Sequence, residues 1–140
     1  MDKRVLPNEV LLEEAAALME EGREVCLTPL GNSMLPFIRG GRDSVEVKKL
    51  PDVAVGDIVL ARLPGRYVMH RVFSREGNRL VLMGDGNIAG TESCTTEDIL
   101  GTVTAIHKGK RTVKPGKGRF WRALLPFRRY ILAIYRRIIP

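Results

Sequence analysis

The sequence predicts a mainly β fold: a strongly bent antiparallel sheet or small barrel, with a helix before it and a basic helical tail after it. Short segments alternate apolar with polar residues, and clusters of Gly, Pro, Asn and Asp separate them. Strands and helices do not alternate in the way that builds a parallel sheet. We therefore expect three parts: a helix packed on the domain in residues 1–23, the β domain in 24–113, and the tail in 114–140.

The first predicted element is an amphipathic helix over residues 8–21. Asn8 suits the N-cap, and Gly22 suits the end of a helix. Apolar residues recur at helical spacing and the glutamates lie largely opposite them, which is typical of a helix that packs on a domain.

Six strands are predicted after Gly22, each bounded by turn residues. The clearest is SVEVK at 44–48, whose alternation suits a strand with one buried face. The other five span 24–28, 58–63, 67–74, 79–83 and 99–107.

The tail differs in composition from the rest of the chain. From His107 onward there are eleven Lys or Arg and no acid, whereas the preceding part has a net charge of about −4. Residues 114–118 are typical of a linker. Helices are predicted over 120–125 and 127–139, broken near Pro126.

On a helical wheel the second tail helix has an aliphatic arc and a basic arc. The first holds Ile131, Ile134, Tyr135 and Ile138, and the second Arg128, Arg129, Arg136 and Arg137. This pattern favours either peripheral contact with a membrane through 119–139, or packing on the domain or on a second subunit. No nucleic-acid-binding motif accompanies the charge, so nucleic acid is not expected. The oligomeric state stays open.

Composition also limits cofactors and location. Cys26 and Cys94 have no metal-binding spacing, so neither a metal nor another cofactor is indicated, and both are expected to be reduced thiols. There is no signal peptide, and no apolar stretch reaches the roughly 20 residues that span a bilayer. We expect a cytoplasmic protein, peripheral on the inner membrane surface if the tail binds lipid.

Residues 31–36, GNSMLP, form the first candidate site. A Gly-Asn turn adopts backbone conformations that other residues resist, and it can present Ser33 with an exposed hydroxyl and a free N–H. A nucleophilic serine needs that geometry. A tight turn in which Ser33 only caps the backbone accounts for the same six residues.

His70 and Asp85 are the other candidates. His70 lies in an apolar strand, where a histidine is either a structural residue or a general base. Asp85 lies in a Gly-Asp-Gly-Asn turn, which either forms a tight hairpin or places a carboxylate to orient a histidine. His107, at the end of the last strand, is expected to be a solvated edge residue.

Together these segments resemble the superfamily of type I signal peptidases and LexA-like self-cleaving repressors. The similarity covers residues 27–106 and consists of short motifs in the order that the superfamily has. They are the nucleophile box at 31–36, Val-Gly-Asp-Ile-Val at 55–59, the general-base box Met-His-Arg-Val at 69–72, Gly-Asp-Gly-Asn at 84–87 and a closing strand at 99–103.

The resemblance implies a serine endopeptidase that binds a protein or peptide in extended form. Ser33 is then the nucleophile, with Asn32, Ser33 and Met34 around the oxyanion and the substrate. His70 stands where many members have Lys, and the unperturbed pKa of a histidine, about 6.5, already lies near working pH. In the implied reaction His70 takes the Ser33 proton, an acyl-enzyme forms, and water releases the product.

The chain departs from the family in several places. Members with histidine carry further aspartates shortly after the Gly-Asp-Asn-Asn box, whereas here Glu92 is the nearest acid and Gly86 replaces an Asn. Asp85 matches the box and is the expected supporting acid, with Glu92 as the alternative. Neither a transmembrane anchor nor a DNA-binding domain is expected.

Three alternatives to this peptidase assignment stay open. The site is a Ser-His dyad without a third member, or the chain is a non-catalytic peptide-binding module of the same fold, anchored to a membrane or partner by its tail. Self-processing at the small residues 89–90 is the third.

Overall fold

The computed structural model describes residues 2–5 and 9–138, with side chains described from 12 to 137. In chain order the elements are β1 (Asp2–Val5), α1 (Glu9–Glu20), β2 (Val25–Thr28), β3 (Ser44–Lys48), β4 (Ile58–Leu63), β5 (Arg66–Glu76), β6 (Arg79–Met83), β7 (Glu92–Thr95), β8 (Ile99–Lys108), β9 (Arg111–Val113), α2 (Arg119–Ala123) and α3 (Arg128–Ile138). Short 3-10 turns lie at Thr96–Asp98 and Leu125–Phe127.

The strands form one open, mainly antiparallel sheet. Eight follow one another in the order β1-β2-β3-β8-β4-β5-β6-β7, and β9 pairs with β8. Only the β1–β2 pair is parallel among the described strands. Register shifts interrupt the β3–β8, β4–β8 and β5–β6 pairs, and such bulges bend a sheet. The predicted mainly β fold with flanking helices is confirmed, as a bent open sheet rather than a closed barrel.

The six predicted strands all occur, three of them with the predicted bounds. These are β3, β4 and β6. Three further strands, β1, β7 and β9, were not predicted, since they span only three or four residues and lack an apolar alternation. The first helix begins at Glu9, and the predicted cap at Asn8 lies outside the described residues.

The core has two main parts, one on each side of the bent sheet. The larger part lies beneath α1, which contributes Leu12, Ala15 and Met19. The second is built on β4, β5, β6 and β8 and includes Cys94. Both Cys26 and Cys94 are buried free thiols.

The tail packs on the domain. Trp121 and Leu132 are buried against Leu35 in a third small apolar cluster. Residues 114–118, which were expected to be a linker, are held by Arg71, whose Nη1 donates to the Gly116 carbonyl at 3.0 Å. No helix in the described part of the chain is long and apolar enough to cross a bilayer.

The two arcs of the tail helix differ from those predicted. Arg128 is buried and lies 5.2 Å from the centre of the Trp121 ring, although it was assigned to the basic outer arc. Ile134 was assigned to the apolar arc and is 61% exposed. The face of α3 that packs on the domain is rotated from the predicted one, because Arg128 stacks on the Trp121 ring and is buried where α3 meets the domain.

Candidate active site

Residues 29–43 form a folded loop that presents Ser33. Gly31 has φ +88°, a conformation that favours glycine. Gly41 N–H donates to the Pro29 carbonyl at 2.7 Å and closes the loop. Gly40 lies so close to Gly31 that a Cβ on Gly40 would sit 1.8 Å from the Gly31 oxygen. The turn expected from the sequence is therefore held by close backbone contacts, with Ser33 half-buried near its tip.

Ser33 and His70 line the same cleft, which has a volume of about 510 Å³. Glu92 also lines it, so the cleft brings together three residues that lie far apart in sequence. No hydrogen bond joins Ser33 Oγ to His70 in this structure. A hydrogen bond between a nucleophile and its base often shortens only when substrate binds.

The carboxylate partner of His70 is Glu92. His70 Nδ1 lies 2.5 Å from Glu92 Oε1, and both side chains are nearly buried. The other Glu92 oxygen lies 3.6 Å from the Arg66 guanidinium. A carboxylate at Nδ1 favours the tautomer with its proton there, which leaves the Nε2 lone pair free to accept a proton. Within the described residues, Nε2 has no hydrogen-bond partner.

Asp85, the expected supporting acid, belongs to a different network. Its carboxylate oxygens accept hydrogen bonds from Arg71 Nε at 2.9 and 3.1 Å and from Arg71 Nη2 at 2.8 Å. In this structure the carboxylate bonded to His70 is therefore that of Glu92, the alternative acid, and Asp85 bonds Arg71 instead. Burial raises the pKa of the Asp85 carboxyl above its ordinary value, although Arg71, Arg128 and His70 oppose that effect.

The Gly-Asp-Gly-Asn loop nevertheless supports Ser33 through its backbone. Gly86 N–H donates to the Ser33 carbonyl at 2.7 Å, and Asp85 N–H contacts Met34 Sδ at 3.4 Å. A Cβ on Gly84 would lie 2.3 Å from the Ser33 oxygen, and a Cβ on Gly86 would lie 2.3 Å from the Asn32 oxygen. At both positions a side chain would collide with the backbone of residues 32–33, which explains why the loop carries Gly86.

The backbone N–H groups of Ser33 and Met34 lie in the loop that presents Ser33. Neither donates to any described residue, whereas the Asn32 carbonyl accepts the Leu35 N–H at 3.2 Å. Free N–H groups beside a nucleophile are the usual donors of an oxyanion hole. The three predicted residues 32–34 thus differ. The N–H groups of Ser33 and Met34 have no hydrogen-bond partner among the described residues, whereas the Asn32 carbonyl accepts a hydrogen bond.

One edge of β5 is open beside the cleft. Residues 66–70 pair with β4 on one side, whereas β6 pairs with the later part of the strand, from Arg71 to Glu76. The second edge of 66–70 has no strand partner among the described residues, and all five of these residues line the cleft. An unpaired strand edge is a template for an added extended chain.

Arg71 is the main residue of this region to which sequence analysis assigned no role. It is buried, it pairs with Asp85, and its Nη1 also donates to the Gly56 carbonyl at 2.8 Å. Its guanidinium lies 5.1 Å from the centre of the Phe37 ring. Strand alternation was the available signal, because a residue next to His70 faces the opposite side of β5. His107, outside the site, bonds Glu46 and Thr112.

Comparison with known proteins agrees with this architecture. A model of the Peptidase S24-like family matches residues 6–104, which is more than half of the chain. The chain therefore belongs to the Peptidase S24-like family, within the LexA and signal-peptidase-like superfamily, and the resemblance seen in its motifs is confirmed. A search of curated proteins gives no significant match.

Proposed function

We propose that this protein is a serine endopeptidase in which Ser33 is the nucleophile, His70 the general base and Glu92 the group that orients His70. The observation that carries the proposal is the His70 Nδ1–Glu92 contact of 2.5 Å beside a cleft that Ser33 also lines. A carboxylate on one ring nitrogen prepares the other to accept a serine proton. Membership of a peptidase family supports the same reaction class.

The proposed reaction passes through an acyl-enzyme. Ser33 Oγ attacks the substrate carbonyl carbon while its proton moves to His70 Nε2, and the N–H groups of Ser33 and Met34 stabilise the oxyanion. His70 then protonates the amine as the peptide C–N bond breaks. In the second half, His70 takes a proton from water, the resulting hydroxide attacks the ester, and Ser33 leaves with the proton returned by His70.

The proposed substrate is a protein segment in extended form. It adds to the open edge of 66–70, where main-chain hydrogen bonds hold it in register. Apolar residues line the cleft beside that edge, including Met34, Ile38, Leu60 and Met69. We therefore propose that apolar or small side chains enter this part of the cleft, where they contact apolar side chains.

The test is covalent labelling of Ser33 by a serine-reactive acylating probe, measured by intact mass across a range of pH. A working site labels faster as an imidazole loses its proton, and His70→Ala abolishes that dependence. Ser33→Ala locates the modified residue. Absence of labelling in the folded wild-type protein would instead favour a peptide-binding module, which retention of peptides on the immobilised Ser33→Ala variant would reveal.

A further inference from the structure

The exposed face of the tail concentrates large apolar side chains. Phe120, Phe127, Tyr130 and Ile134 are 78%, 58%, 64% and 61% exposed, respectively. They make up half of the exposed large hydrophobic residues in the described part of the chain, and they fall within 15 residues of sequence. Isolated exposed apolar residues are common, but a contiguous group of aromatic residues marks an interaction surface. We name these four residues, with Arg129 and Arg137, the outer tail face.

Helical geometry places Tyr130 and Ile134 on one side of α3, with Arg137 three residues further along that side. Phe127 ends the 3-10 turn that leads into α3, and Phe120 lies on α2. Leu132, Arg128 and Tyr135 lie on the opposite side, against the domain. The tail is thus an amphipathic element with its inner side occupied and its outer side open.

The inner side is held by specific contacts. Trp121 Nε1–H donates to the Asp85 carbonyl at 2.9 Å, and Arg136 Nη2 and Arg128 Nη1 approach the carbonyls of Gly86 and Asn87 at 3.4 and 3.3 Å. These bonds fix the orientation of α3 on the domain. A partner therefore meets the outer tail face already formed, without an ordering cost for the helix.

Charge identifies the kind of partner. The segment from 107 to the end contains eleven Lys or Arg and no acid, whereas the rest of the protein is net negative. Arg129 and Arg137 are both exposed, and Arg137 lies on the same side of α3 as Tyr130 and Ile134. Aromatic and aliphatic side chains next to exposed arginines complement the surface of a lipid bilayer, in which anionic headgroups cover an apolar interior.

We propose that the outer tail face binds the surface of an anionic lipid bilayer. Phe120, Phe127, Tyr130 and Ile134 enter the headgroup and acyl boundary, and the arginines pair with anionic headgroups. At a rise of about 1.5 Å per residue, α3 is far shorter than a bilayer is thick, so it lies in the plane of the interface. This proposal does not depend on the peptidase activity.

The test is co-sedimentation of the full chain with vesicles of phosphatidylcholine containing about one third phosphatidylglycerol. We expect binding that weakens as salt rises and that is much lower on pure phosphatidylcholine. The double variant Arg129→Gln, Arg137→Gln should lower the partition coefficient roughly 10- to 30-fold, as expected for the loss of two surface charges. The double variant Phe127→Asn, Ile134→Asn should abolish the binding that persists at high salt.

A matched control removes the same charge elsewhere. Arg23→Gln with Arg79→Gln alters two exposed arginines outside the tail and should bind within about twofold of wild type if local contact, not net charge, matters. Near-UV circular dichroism of Trp121 checks that each variant keeps the packed tail.

Three results would overturn the proposal. Equal binding of wild type and both tail variants would exclude the outer tail face. Loss of binding in the control as well would assign it to net charge. If the protein binds single-stranded RNA and not vesicles, the outer tail face serves a nucleic acid. If the apolar variants change only the mass of the protein measured by sedimentation without lipid, the face serves a second copy of the chain.

Discussion

At the residue scale, His70 and Arg71 show how one strand serves two networks. They are consecutive in β5, and alternate residues of a strand face opposite sides. His70 faces the cleft and meets Glu92, whereas Arg71 faces inward and meets Asp85. The two carboxylates are therefore not interchangeable, because each is aligned with one of two adjacent side chains.

The first prediction separates those carboxylates. Glu92→Gln should slow the labelling of Ser33 by roughly 10²- to 10⁴-fold, because a neutral amide no longer favours the ring tautomer that leaves Nε2 free. The free energy of unfolding should change little in comparison. Labelling rates at fixed probe concentration check this. The control is Glu97→Gln, which alters an exposed acid five residues away. Equal rates in the two variants would remove Glu92 from the proposed mechanism.

At the element scale, the sequence predicted the strands better than it predicted the contacts between the loops that join them. Alternation marked β3, flanking turn residues bounded β4 and β6, and a Gly-Asn pair marked the turn before Ser33. The sequence offered Glu92 only as the second choice of acid, because Glu92 begins β7, a four-residue strand without an apolar pattern. Its pairing with β6, which brings Glu92 opposite Leu82, is a long-range contact that local propensity does not encode.

The second prediction concerns the close contact between the Gly-Asp-Gly-Asn loop and residues 29–43, the loop that carries the proposed nucleophile Ser33 and is called the nucleophile loop below. Gly86→Ala should destabilise the protein by about 1–3 kcal/mol and slow Ser33 labelling, because the new Cβ would lie 2.3 Å from the Asn32 oxygen. Chemical denaturation and the labelling assay measure the two effects. Gly90→Ala is the matched control, since a Cβ there meets no atom within 4 Å. Wild-type behaviour of Gly86→Ala would show that this approach is not needed.

The third prediction is a pH dependence at the end of the nucleophile loop. Burial acts to raise the pKa of Asp43, but hydrogen bonds from Lys108 at 2.6 Å and from the Arg39 N–H at 2.8 Å outweigh it and hold the pKa below its ordinary value of 3.8. Because the folded-state pKa is the lower one, the stabilisation is fully present above the unfolded-state pKa. It is lost as the pH falls through the folded-state pKa.

Asp43→Asn should therefore cost about 1–3 kcal/mol at neutral pH, and the difference from wild type should shrink as the pH falls below about 4. Urea denaturation at a series of pH values measures it. Glu21→Gln, an exposed change, should run parallel to wild type throughout. A difference between Asp43→Asn and wild type that is the same at every pH would mean that the carboxylate charge is not responsible.

At the scale of the whole molecule, Arg71 joins parts of the chain that sequence analysis treated separately. It bonds the carbonyls of Gly56 and Gly116 and the carboxylate of Asp85, and it stacks on Phe37 of the nucleophile loop. The sequence predicted a linker at 114–118 and a tail beyond it, yet both are attached to the domain through this network. Composition and periodicity do not reveal the partners of a buried arginine, so packing of the tail on the domain stayed one of several alternatives in the sequence.

The last prediction tests whether this buried pair links the tail to the site. Arg71→Met should destabilise the protein by about 3–5 kcal/mol, because it leaves the Asp85 carboxylate buried without its partner. Adding Asp85→Asn should recover part of that loss, since the unpaired charge is then removed. The same substitutions should slow Ser33 labelling, because the Asp85 loop supports the Ser33 carbonyl through Gly86.

The exposed pair Lys49–Glu20, with its atoms 2.7 Å apart, is the control, and its coupling energy should be less than about 1 kcal/mol. Equal coupling in the two pairs would mean that the buried contact contributes no more to stability than a surface ion pair.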